Sequence, residues 1–136
     1  MVKTIKQNIV FRNTTAAILY DLYMNEKKHA LVTGSAAKII SKPGSLFSAY
    51  GGYINGKNIH LVKNKLIVQT WKAKGWDISA VESTFIINFE QKGKDVILHM
   101  VHANLPENVA ASISKGWKDH YWKPWKYFLN EAGKKK

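Results

Sequence analysis

The chain has no cysteine, which excludes disulfides and thiolate metal sites and agrees with a reducing compartment. It has no apolar run of about 18 residues, so nothing in it is expected to span a membrane. Its opening "MVKTIKQNIVF" has neither an apolar core nor a small-residue cleavage site, so no secretory leader is expected. Acidic residues are few, 9 against 21 basic ones, giving a net charge of +12. Arginine, the side chain best suited to bidentate contacts with bases and phosphates, occurs once, as Arg12. The lysines are dispersed and interleave with no zinc-finger or RNA-recognition signature, so specific nucleic-acid binding is not expected. Catalytic signatures are missing too: there is no Gly-rich phosphate loop, nucleophile elbow or helix-borne histidine pair around a glutamate. The chain is therefore expected to be no enzyme, with no cofactor and no metal site, and to work in the cytoplasm.

What is present supports a packed core. The 136 residues are 46% hydrophobic and 12% aromatic, enough for one domain over 1–133 followed by a disordered basic tail at 134–136. A net charge of +12 favours anionic partners.

The pattern along the chain is strand, two helices, many strands, helix. In 4–11, Ile5, Gln7, Ile9 and Phe11 alternate with Lys6, Asn8 and Val10, which predicts a strand. "NTT" at 13–15 offers caps for a helix over about 15–24, with Ile18, Leu19, Leu22 and Tyr23 on one stripe. A second short helix is capped at Asn25 and stopped at Gly34. Strands are predicted in "AKIIS", "LFSAYGGYI", "NIHLVK", "LIVQTWKA", "ESTFIINFEQ" and "DVILHMVHA". Hairpin turns are expected at "NGK" (55–57), "NK" (64–65) and "KGK" (92–94), and a loop at 74–80. A helix over about 107–131, ended by Gly133, closes the chain. An antiparallel sheet of about six or seven strands with a long helix over its apolar face gives an α+β class.

The segment "GWKDHYWKPWKYFL" (116–129) decides what that helix does. At 100° per residue, Trp117, Tyr121, Trp122, Pro124, Trp125, Phe128 and Leu129 share one arc, and Lys115, Asp119, Lys123, Lys126 and Asn130 lie opposite. Lys118 falls inside the apolar arc and Tyr127 outside it. Pro124 removes the bond to the His120 carbonyl, which predicts a kink or a change of helical geometry there. Large rings against a curved sheet either fill the interior or leave a cavity. On the strands facing the helix, the candidates are Phe85 and Ile87, then Leu98, Met100 and His102, with Gln69 and Trp71 one strand over. Phe47 and Tyr50 join from the bent strand, and Trp117, Tyr121 and Phe128 from the helix. Each can be plain core or cavity lining. His99 and His102, three apart on a strand, face opposite sides and cannot chelate together.

The closing segment, preceded by "NLPENVAASISK", resembles the activator of heat-shock protein 90 ATPase homologue family, with its Gly-Trp, Tyr, then Leu or Phe on a long helix. "VFRNTTAAILYDLYMNEKKHALVTG", "GGYINGKNIHLVKNKLIVQTWK" and "STFIINFEQKGKDVILHMVHANLP" are similar to that family's opening, core and last hairpin. The resemblance implies the helix-grip fold shared with the START and birch-pollen-allergen-like (SRPBCC) proteins: a bent antiparallel sheet around a C-terminal helix, with two short helices after the first strand. The eukaryotic members have two domains, and this chain is similar to the C-terminal one. The resemblance implies a non-enzymatic, co-chaperone-like domain whose partner is a heat-shock protein 90-type chaperone. The alternative it implies is a carrier or sensor of a small hydrophobic ligand in the sheet–helix cavity.

Overall fold

The computed structural model describes residues 2–76 and 82–134. β1 (Val2–Phe11) keeps the expected alternation, with Gln7 and Phe11 buried and Lys6, Asn8 and Val10 facing out. Thr15 Oγ1 accepts the Ile18 N–H at 3.2 Å and starts α1 (Ala16–Met24). Asn25 Oδ1 accepts the Lys28 N–H at 3.1 Å and starts α2 (Glu26–Thr33), which stops at Gly34 with φ 78°. Leu19, Leu22 and Tyr23 are buried as expected, but Ile18 is 45% exposed and leaves the predicted stripe.

Six further strands follow: β2 (Lys38–Ile39), β3 (Leu46–Ala49), β4 (Ile54–Val62), β5 (Leu66–Ala73), β6 (Ser83–Lys92) and β7 (Asp95–Pro106). They form one antiparallel sheet in the order β1-β7-β6-β5-β4-β3-β2, so the first strand pairs with the last. Alternate residues of β5, β6 and β7 are buried and most of those between are partly exposed, so one face is covered. On that face Phe85 lies opposite His102 and Gln69, and Ile87 opposite Met100 and Ile67.

Two turns differ from the sequence reading. "NGK" lies inside β4, not at a turn. A Cβ on Gly56 would sit 1.9 Å from the Thr70 carbonyl oxygen and 2.6 Å from Phe47 Cε1, so glycine there permits close packing rather than reversal. The reversal comes earlier, in a 3₁₀ turn over Tyr50–Gly52, where Gly51 (φ 65°) and Gly52 (φ 91°) take left-handed angles. Of the loop expected at 74–80, residues 77–80 lie outside the described residues.

The C-terminal helix starts later than 107, because β7 stays paired with β1 as far as Val2 opposite Pro106. It comprises α3 (Ala110–Trp117), a π-helical turn (Lys118–Trp122) and α4 (Lys123–Lys134). It runs through Gly133 to Lys134; residues 135–136 of the expected tail lie outside the described residues. Trp117, Tyr121, Trp122 and Trp125 are buried against the sheet, and Tyr127 is 69% exposed. Burying each such side chain contributes roughly 1.5–3 kcal/mol.

Candidate functional site

The sheet–helix interior is filled by the chain's own rings. Trp117 stacks on Phe85 with centroids 4.2 Å apart and planes 5° from parallel. Trp117 also stacks on Trp122 at 5.6 Å, and Trp125 packs on Phe11 at 5.9 Å. Two tryptophans spend their N–H groups on buried acceptors: Trp122 Nε1 donates to Gln7 Oε1 at 2.7 Å, and Trp117 Nε1 donates to His102 Nδ1 at 3.0 Å.

His102 is held neutral. An indole N–H can only donate, so Nδ1 is the bare nitrogen. The Ser83 hydroxyl donates to the Trp71 carbonyl at 2.5 Å and accepts from His102 Nε2 at 2.8 Å. Adding a proton would set Nδ1–H against the Trp117 N–H. Burial pushes this imidazole's pKa down to about 3.

A second polar chain ties the helices together. His29 Nδ1 donates to the Tyr23 carbonyl at 2.8 Å, and Nε2 accepts from the Tyr121 hydroxyl at 2.9 Å. The Tyr23 hydroxyl donates to Gln69 Oε1 at 2.8 Å, and Gln69 Nε2 donates to Asn58 Oδ1 at 2.8 Å. Burial lowers the His29 pKa, against the bond to the Tyr23 carbonyl, and raises the Tyr23 and Tyr121 phenols. Nothing in the local pattern around His29, Asn58 or Ser83 marks these residues in the sequence, because their partners lie on other elements.

Beside this interior lies an open cleft of ≈ 460 Å³, walled by Tyr50, Tyr53, Trp71, Ile113, Trp117, His120 and Tyr121 among others. Its geometry follows from Pro124. Lacking an N–H, Pro124 cannot bond the His120 carbonyl, and the backbone widens: Lys123 N–H reaches back to the Lys118 carbonyl, five residues earlier. The freed His120 carbonyl accepts the Tyr50 hydroxyl at 2.7 Å. Tyr50 reaches it from a left-handed backbone, φ 50°, unusual for a residue with a side chain. Burial pushes the Tyr50 phenol up to about 12.

Of the residues nominated from sequence, Tyr50, Trp71, Trp117 and Tyr121 come together on this cleft. Gln69, Phe85, Ile87, Leu98, Met100 and His102 lie in the buried interior, and Phe47 is buried on β3. Phe128 stands apart, half-buried on a groove with Ile18, Leu22 and Leu61. His99 faces out, between Glu90 Oε1 and Asn8 Oδ1, each at 2.9 Å. Among the described residues no group of three or more His, Cys, Asp or Glu could hold a metal ion, and no helix is long and apolar enough to cross a membrane.

A seven-stranded antiparallel sheet gripping a C-terminal helix, with two short helices after its first strand, is the helix-grip (SRPBCC-type) fold. Residues 13–124 match the family described as activator of Hsp90 ATPase homolog 1-like protein, and the chain belongs to that family. Over 100 residues it is 34% identical to a Dictyostelium discoideum protein named activator of 90 kDa heat shock protein ATPase homolog, covering 73% of this chain and 26% of that one. An uncharacterised protein of Schizosaccharomyces pombe is 28% identical over 121 residues, 88% of this chain and 35% of its own. The chain thus spans about a quarter to a third of the length of the curated relatives it matches. A solved structure of an Hsp90 activator from Plasmodium falciparum shares the fold, with a TM-score of 0.84, 22% identity and 96% of each chain covered.

Proposed function

We propose that the chain is a single helix-grip domain over 1–133 that works as a non-enzymatic, co-chaperone-like module, binding an Hsp90-type chaperone in the cytoplasm and stimulating its ATPase. The observation that carries this reading is the family match over 13–124. The interior supports it: the rings of Trp117, Phe85 and Trp122 occupy the space between sheet and helix, so binding falls to the surface. The net charge of +12 suits an acidic partner. The test is a titration of the isotope-labelled chain with the cognate chaperone at physiological salt, alongside the chaperone's ATP turnover. Perturbed surface amides and faster turnover are expected. Unchanged spectra at high chaperone concentration overturn the reading.

A second reading is a carrier or sensor of a small hydrophobic ligand in the cleft beside Tyr50. It is favoured by the convergence of Tyr50, Trp71, Trp117 and Tyr121 on one opening. Trp71, one of the cleft's walls, also keeps a buried indole N–H without a hydrogen-bond partner among the described residues. Native mass spectrometry of the freshly purified chain tests it. A co-purifying small molecule that a Tyr53→Trp variant excludes is expected, and a bare mass from both proteins, with no quenching of tryptophan fluorescence by apolar probes, counts against it.

A further inference from the structure

The two edges of the sheet differ. β2 closes one edge with two residues. β1 forms the other with ten, and among the described residues it pairs on one side only, with β7. Its outer N–H and C=O groups are therefore open to another strand. The ladder is regular from Ile5 to Phe11, long enough for a typical strand of about 5–6 residues. Lys3 and Lys6 are exposed along it, and β1 contains no acidic residue. Beside its last residues is a groove of ≈ 470 Å³ shared with α4, with Val10, Phe11 and Leu129 as apolar lining and Arg12 and Lys126 as cations. Lys126 Nζ lies 5.7 Å from the Phe11 ring centre.

We propose that β1 is a docking edge for an extended acidic segment of a partner protein, which adds to the sheet as one more strand and sets an apolar side chain in the groove beside Phe11. Charge selects this occupant. Lysines along an open edge repel a basic strand and attract an acidic one, and opposite charges facing across strands stabilise the pair where like charges destabilise it. A second copy of the chain would bring its own Lys3 and Lys6 to the edge and its own +12 to the encounter. Arg12 holds Asp95 only at 3.6 Å, with its side chain 77% exposed, and is available to an incoming carboxylate. β1 lies outside the residues matched to the family, 13–124, so the proposal stands apart from the chaperone reading.

The probe is a capped peptide of alternating glutamate and valine, about eight residues long, titrated into the isotope-labelled chain. Amide shifts confined to β1 and the 126–130 face of α4 are expected, weakening as salt rises. Methylating the peptide nitrogens one at a time should cost about tenfold in affinity at every second position and little between, because a strand on an edge bonds with alternate residues only. Lys6→Glu should weaken the acidic peptide roughly two- to fivefold and strengthen a lysine–valine peptide. No shift at about millimolar peptide overturns the proposal. So does binding that ignores N-methylation, which would make the groove alone the site. A sedimenting dimer that shifts the same amides would assign the edge to a second copy instead.

Discussion

Trp117 and Tyr121 each face two surroundings. On one side they meet the interior, Trp117 stacked on Phe85 and Tyr121 edge-on to His29. On the other they wall an open cleft with Tyr50 and Tyr53. The same residues serve both, so ring content does not decide between core and cavity. The backbone decides. A regular helix would continue past His120; Pro124 and the π turn shift its path, and the left-handed Tyr50 meets it with its hydroxyl on the His120 carbonyl and its ring edge-on to His120 and Tyr121.

Emptying the filled side should have the largest effect of this kind. Trp117→Ala removes the ring stacked on Phe85 and strands the His102 nitrogen. It is expected to cost about 3–5 kcal/mol of unfolding free energy in urea titrations. Tyr53→Ala, on the cleft side and 51% exposed, should stay within about 0.5 kcal/mol. Equal costs at the two positions would remove the distinction between a filled and an open side.

The close approach of β4 to β5 at Gly56 should be nearly as sensitive. Gly56→Ala drives a methyl group toward the Thr70 carbonyl, and backbone cannot yield as a side chain can, so a loss of about 3 kcal/mol is expected. A neutral substitution would show that the strands separate there at little cost. This glycine also marks how far the sequence could be read. The strand count, the capped helices and the amphipathic closing helix were legible, because period and cap chemistry are local signals. "NG" at 55–56 reads as a hairpin turn, yet glycine serves two ends, left-handed angles and close approach, and only the neighbouring strand shows which applies. The real turn used Tyr50, a residue with no left-handed preference, next to a glycine pair within what read as the single strand "LFSAYGGYI". Of the nominated residues, those sharing the cleft could not be sorted from those in the interior. That division depends on the π turn, whose trigger, Pro124, was visible but whose direction was not.

The interior should also be the acid-sensitive side. His102 holds its pKa near 3 when folded and about 6.5 when unfolded. Between those values the unfolded chain binds more protons, so stability is full above about pH 6.5 and falls as pH drops, by roughly 1.4 kcal/mol per unit. His29, also lowered by burial, adds to the same slope. Denaturation midpoints between pH 7 and about pH 5 should show this loss, and His102→Gln should remove about one proton's share of it. A slope unchanged by that substitution would place the acid sensitivity elsewhere.

The smallest effect separates the two sides most sharply. Tyr50→Phe deletes the hydroxyl that satisfies the His120 carbonyl and should cost about 1 kcal/mol. Alanine at position 124 restores an N–H four residues after that carbonyl, so the helix can satisfy it without help. Tyr50→Phe should then become nearly neutral in the Pro124→Ala background, a coupling of roughly 0.5–1 kcal/mol in a double-mutant cycle. Additive costs would mean that Tyr50 and the π turn are independent features. Coupled costs would mean that one missing N–H in the closing helix sets the position of a turn 70 residues before the carbonyl it frees, and with it the width of the cleft.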